Sequence, residues 1–115
     1  MSSALGTRRS APVFHILLSL APGEAHGYGI IVDVEAATDG AIRLGPGTLY
    51  GALKRLVADD LVEESVRRPS ADDDERRRYY RLTAAGRRIL GAEAARLTKV
   101  VGMARRAGVL KPGSG

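Results

Sequence analysis

Between residues 45 and 82 the apolar period of the chain switches from that of a helix to that of a strand, and two strand-like runs enclose a loop crowded with arginines and acids. From Thr48 onward, Leu49, Leu53, Leu56 and Val57 recur at steps of three and four, which sets them on one helical stripe for burial. Thr48, Gly51, Lys54, Arg55 and Ala58 fall on the other side at the same spacing. Small residues there permit close approach, and the two cations suit phosphates or guanine edges. Pro46 and Gly47 form a turn before this helix, leaving the Thr48 hydroxyl and free backbone N–H groups at its N-terminus, where a phosphate can bind. The same residues also fit a plain surface helix that Thr48 caps, with Lys54 and Arg55 in solvent.

The following segment favours the first reading. Over residues 61–66, Val62 and Val66 alternate with charged or polar neighbours, and Arg78, Tyr80 and Leu82 alternate with Arg77, Tyr79 and Arg81. Two strands of one hairpin are expected, with one of the two tyrosines packed in the core. Between them the run 67–77 holds Pro69, Ser70, Asp72, Asp73, Asp74 and Glu75, too polar to bury and too long for a tight turn. This is a wing-like loop. Its basic shoulders, Arg67 with Arg68 on one side and Arg76, Arg77 and Arg78 on the other, are placed to grip phosphates or enter a minor groove. The acids at its tip either point away from DNA or pair with the arginines. One helix for a DNA groove and one hairpin beside it is the order of parts in a winged helix.

The rest of the chain supplies what such a unit requires. Residues 1–10 read as a flexible arm, and Pro12 opens a helix to about Leu20 that Val13, Phe14, Ile16, Leu17, Leu18 and Leu20 make largely buried. A turn over 21–25 contains Pro22 and Gly23; a second helix from about Gly27 to Thr38 buries Ile30, Ile31 and Val34, and Asp39 and Gly40 end it. Residues 41–44 are expected to add a short strand beside the wing. Thr83 reads as the N-cap of a last helix whose stripe, Ile89, Leu90, Leu97, Val100, Val101 and Ala104, continues to about Ala107. A lone small domain cannot cover a helix this long. The stripe, with Phe14 and Leu17 of the first helix, is therefore expected to form a two-fold dimer. Gly91 and Gly102 each weaken that helix by about 1 kcal/mol relative to alanine, which partner packing would offset. The expected organisation is an arm (1–10), a winged helix-turn-helix (11–83), a dimerisation helix (84–107) and a flexible tail (108–115).

Composition agrees. A chain of 115 residues that is 44% hydrophobic and 27% charged makes one small domain with a thin core unless a partner adds to it. It has no cysteine, which excludes a disulfide framework and a thiolate metal site and suits a reducing compartment, the cytoplasm. The net charge of +5 suits a polyanion but is unevenly spread: −2 over residues 1–40, +1 over 41–83, where nine cations meet eight acids, and +6 over 84–115. The arrangement of charges in the recognition region, and not their sum, carries the case for DNA.

Other classes find no support. Arg8 and Arg9 before the apolar run imitate a twin-arginine export signal, but the run is short and supplies the first helix. No stretch is long enough to span a bilayer, so no membrane partner is expected. His15 and His26 have no H-x-x-x-H spacing, cysteine or suitably spaced carboxylate beside them and read as structural, with no metal site. The acids at 72–75 lack the alternating oxygen ligands and central glycine of a calcium loop, and 45–48 lacks the lysine of a P-loop. No catalytic residue and no cofactor are expected.

Three stretches together, HGYGI at 26–30, GPGTLYGALKRL at 45–56 and RRYYRLTAAG at 77–86, resemble the short PadR-family transcriptional regulators in order and rough spacing. The resemblance runs from Pro12 to about Ala107. It implies a mainly α fold with a small β-hairpin wing, a winged helix-turn-helix plus a C-terminal dimerisation helix, acting as a homodimeric repressor on double-stranded operator DNA. Two positions depart from the family pattern. Gly51 stands where proline commonly follows the tyrosine, and Asp60 stands where a glycine commonly ends the recognition helix, a conformation that aspartate takes less easily. Residues 48–54 are expected in a major groove, with Tyr50 contacting phosphate or base, or else bracing the helix against the wing. Two-fold symmetry implies an inverted-repeat operator with half-sites roughly 34–36 Å apart. The competing reading is a winged helix serving as a protein-interaction or dimerisation module. Family members can bind small effectors between subunits, but this chain has no tryptophan and only Phe14 near the expected dimer core, so no multidrug-type aromatic pocket is expected and an effector stays unassigned.

Overall fold

The computed structural model describes residues 10–67 and 77–111, with side chains over 11–65 and 78–111. Four helices and a small antiparallel sheet follow in the order α1 (Ser10–Ser19), β1 (Ala25–His26), α2 (Gly27–Ala37), α3 (Pro46–Ala58), β2 (Val62–Arg67), β3 (Arg77–Leu82) and α4 (Ala84–Arg106). The fold is mainly helical, as expected. The sheet has the strand order β1-β3-β2.

The helices α2, α3 and α4 each end beside a residue in the left-handed conformation. In α2 the His26 Nδ1 accepts the Gly29 N–H at 3.1 Å as an N-cap. Its C-terminus closes through Asp39 (φ 51°) and Gly40 (φ 81°), with Gly40 N donating to Glu35 O at 2.8 Å. The helix α3 ends the same way: Asp60 takes φ 63°, and Leu61 N donates to Leu56 O at 2.9 Å. Asp60 thus occupies the left-handed position for which its sequence is less suited than glycine's. Gly108 (φ 80°) does this for α4.

The third strand does not come from residues 41–44. Ala41 N donates to the Thr38 carbonyl at 2.9 Å and Ile42 N to the Thr38 hydroxyl at 3.0 Å, so the donors a strand would need are folded back onto the end of α2. Leu44 instead drops into the core. The strand is β1, whose Ala25 reads from sequence as the end of a turn and whose His26 as the residue before a helix; it pairs Ala25 with Tyr80 and His26 with Tyr79. Two residues carry no detectable alternation.

The core gathers one face from each element. Ile16, Leu17 and Leu20 of α1 meet Ile30 and Val34 of α2, Leu49, Leu53 and Leu56 of α3, and Val62 and Tyr80 of the hairpin. Tyr80 is the tyrosine that packs inward, and burial, with Glu64 nearby, pushes its hydroxyl above the usual range. Leu18, expected to be buried with the rest of α1, is 42% exposed, because three faces of a ten-residue helix cannot all meet one small core.

A compact joint links the end of α3 to the start of α4. Leu61 O accepts from Thr83 N at 3.1 Å, while the Thr83 hydroxyl donates to Asp60 O at 2.6 Å and accepts from Gly86 N at 2.9 Å, capping α4 as its sequence implies. The backbones approach so closely that a Cβ on Gly86 would lie 2.0 Å from Leu61 O. Beyond Leu90, α4 presents no buried residue to its own protomer, and the projecting helix stretches the molecule to 56 × 32 × 23 Å.

Candidate nucleic-acid interface

The helix α3 starts two residues before Thr48. Pro46 takes the first turn, where its missing N–H is no loss, and Gly45 is an N-cap without a side-chain bond. Thr48 therefore does not cap; it lies exposed in the first turn. Leu49, Ala52, Leu53 and Leu56 lock one face onto the core, so Tyr50, Lys54 and Arg55 are turned outward and Gly51 is half-buried at the margin. Among the described residues neither Lys54 nor Arg55 has an ion-pair partner.

Tyr50 packs against the start of α2. Its ring lies over Gly27: a Cβ there would meet the Tyr50 Oη at 2.1 Å and Cζ at 2.6 Å. Only glycine admits the ring, which links the HGY stretch to the LYG stretch in space. Tyr50 as a whole stays 44% exposed.

An open cleft of about 1030 Å³ separates α3 from the hairpin. Tyr50 and Lys54 border it from α3, His26 from β1, Tyr28 from α2, and Glu64 and Arg78 from the hairpin. Arg78, expected as a free shoulder of the wing, is paired with Glu64 across the strands. That hydrogen bond and the carboxylate charge hold the Arg78 guanidinium above its ordinary pKa. On the other face of the hairpin Arg81 pairs with Glu63 at 2.8 Å, directly opposite in register. Neither pair was visible to sequence reading, which lacked the register that brings residues 14 and 18 positions apart together.

Arg67 and Arg77 are partners in the strand register, at the last residue of β2 and the first of β3. Arg68 and Arg76, with the acidic tip at 72–75, lie outside the described residues.

The expected dimer residues divide. Leu17 (0% exposed) and Leu90 (6%) spend their surface inside the protomer, because both lie where α1, α4 and the core converge. They are core residues here. Phe14 and Ile89 are half-buried against that core. Leu97 and Ala104 are half-buried, while Val100 (46%), Val101 (37%) and, unanticipated, Met103 (60%) are exposed on α4. Among the described residues no helix is long and apolar enough to cross a membrane, and no group of three His, Cys, Asp or Glu could hold a metal ion.

Residues 16–92, from the middle of α1 into α4, match the Transcriptional regulator PadR-like family. The chain belongs to that family. This PadR-like chain is 40% identical over 91 residues to an uncharacterised 37.1 kDa protein of transposon TN4556 from Streptomyces fradiae; the match covers 76% of the chain but only 23% of that relative's length. A transcriptional regulator from Clostridium thermocellum has the same fold, with a TM-score of 0.66 and 29% identity over 81% of this chain and 87% of that one. The Bacillus subtilis PadR, solved in complex with operator DNA, matches in fold at a TM-score of 0.63 and 21% identity, covering 70% of this chain and 45% of that one. The PadR-like match ends before Leu97, so the exposed distal stripe of α4 lies beyond it.

Proposed function

We propose that this PadR-like regulator is a homodimeric, sequence-specific DNA-binding repressor, working in the cytoplasm on an inverted-repeat operator. The observation that carries the reading is the outward face of α3, where Lys54 and Arg55 stand exposed and unpaired among the described residues on a helix locked to the core by its opposite face. A rigid helix with free cations meets the requirement for reading base edges in a major groove. Thr48, Tyr50 and Gly51 complete that face; by their place in the sequence Arg67, Arg68, Arg76 and Arg77 are assigned to the adjoining phosphate backbone, and Arg78, paired with Glu64, is the remaining candidate there. The Bacillus subtilis relative, bound to operator DNA on the same fold, supports the reading.

Dimerisation rests on the distal half of α4. Leu97, Val100, Val101 and Ala104 continue the stripe that begins with buried Gly86 and Leu90; Leu97 and Ala104 are half-buried, and Val100 and Val101 are exposed in the protomer. A second copy packed there, with Phe14 and Ile89 at its edge, would set two α3 helices on one side of the assembly. Half-sites roughly 34–36 Å apart then follow from the spacing of successive major grooves.

The experiment is to sequence DNA that co-purifies with the protein and titrate the recovered site by fluorescence anisotropy. The Lys54→Ala, Arg55→Ala double variant is expected to lose at least tenfold in affinity, since each good base contact is worth about 1–3 kcal/mol. Undiminished binding removes α3 as the reading element. If the wild-type protein binds no fragment saturably, the winged helix is a protein-interaction module.

A further inference from the structure

The cleft between α3 and the hairpin contains one acid where a DNA-binding surface gains nothing from one. If α3 enters a major groove, the neighbouring phosphate backbone runs between helix and hairpin, along the cleft that Lys54 and Arg78 border. Glu64 borders the same cleft and is paired with Arg78. Its side chain is 28% exposed against 63% for Arg78, so the carboxylate is the more enclosed partner. The register explains the meeting: Glu64 opposes Tyr80 and Val66 opposes Arg78, which places Glu64 and Arg78 diagonally on the inward face of the hairpin.

An exposed ion pair of this kind contributes little to stability. Its electrostatic consequence for a polyanion is larger. Arg78 would otherwise be a second free cation beside Lys54, and each cation that neutralises a phosphate strengthens binding to every DNA sequence alike. We propose that Glu64 is a specificity-determining residue that withholds Arg78 from phosphates and so limits sequence-independent DNA binding. This rests on the DNA-binding reading above and adds to it which charge is held back. Glu63 and Arg81 form an internal control, because they make the same kind of pair on the outward face of the same hairpin and do not border the cleft.

The test measures the binding of a random-sequence DNA duplex by anisotropy across a salt series, for the wild-type protein, Glu64→Gln, Glu63→Gln and the Glu64→Gln, Arg78→Gln double variant. Freeing one cation steepens the slope of log affinity against log salt by about 0.9, so between about 50 and 200 mM salt Glu64→Gln loses roughly 3.5-fold more affinity than wild type. It also binds the duplex more tightly at the low-salt end. Glu63→Gln, with the same change in net charge, keeps the wild-type slope. The double variant, which removes a neutral pair, returns to it. A wild-type slope for Glu64→Gln overturns the proposal and leaves the recognition helix standing; an equal steepening by Glu63→Gln overturns it in favour of bulk charge. If the wild-type protein binds no duplex even at low salt, the DNA-binding reading falls and this proposal with it. Circular dichroism melts of each variant establish that the hairpin is intact, and if Glu64→Gln is unfolded, Glu64→Ser is read by the same criteria.

Discussion

Replacing Gly86 by alanine tests the joint on which the proposed geometry depends. An added Cβ would lie 2.0 Å from Leu61 O, whereas real Cβ atoms essentially never come within 3.0 Å of such a neighbour, so α4 must withdraw by about 1 Å. The obstacle is backbone, pinned by the turn that ends α3, and cannot swing aside as a side chain would. Withdrawal stretches the Thr83 N to Leu61 O bond beyond its 3.1 Å and the Thr83 Oγ1 to Asp60 O bond beyond its 2.6 Å. Strain of this kind costs about 1–3 kcal/mol, and each weakened hydrogen bond about 1 kcal/mol net. Alanine returns about 1 kcal/mol through its higher helix propensity. The balance is a loss of roughly 2–4 kcal/mol, a large part of the stability of a small domain. Urea unfolding followed by circular dichroism, at one fixed protomer concentration, measures it. The control is Gly91→Ala in the same helix, where nothing lies within 4 Å of the added methyl and propensity alone acts, giving a gain of up to about 1 kcal/mol. A Gly86→Ala variant as stable as Gly91→Ala would refute the reasoning, since the backbones would then not be in the contact described.

Gly27→Ala should displace the Tyr50 ring and tilt α3 with modest loss of stability, lowering operator affinity by roughly one base contact, about fivefold to a hundredfold by anisotropy; equal affinity would mean that Tyr50 is no brace. Val100→Asp with Val101→Asp changes residues exposed in the protomer, so the fold should persist while sedimentation equilibrium shows a monomer and the melting temperature loses its dependence on concentration. A persistent dimer would place the interface elsewhere. The hydrogen bond from Arg96 lowers the pKa of Glu93, so its contribution to stability is present above the unfolded carboxylate value and lost as pH falls through the lower folded value. Below about pH 4.3 the urea midpoint of the wild-type protein should therefore fall more steeply than that of Glu93→Gln, and parallel curves would show the pair to be inert.

Much of the candidate site was legible because its signals are local. The steps of three and four from Leu49 to Leu56 revealed the buried and outward faces of α3, the alternation around Tyr80 revealed the hairpin, and Thr83 announced α4. Helix starts were less legible: Thr48 looks like a cap, but the fixed φ of Pro46 lets the helix begin earlier. The strand β1 was not legible, since two residues have no period. Nor was the neutralisation of Arg78, because a run of arginines beside a run of acids does not say which carboxylate each one meets.

By itself the sequence determined which faces are apolar, where helices end and which cations lie on α3, because these depend on spacing and on the backbone preferences of neighbouring residues. Only the tertiary structure decided what covers each face. Leu90 and Val100 belong to one stripe of α4, yet the first is buried in its own protomer and the second is exposed, because the body of the domain ends between them. Tyr50 on Gly27, Glu64 on Arg78 and Gly86 on Leu61 are likewise contacts between segments far apart in the chain, set by packing and register that no local pattern encodes.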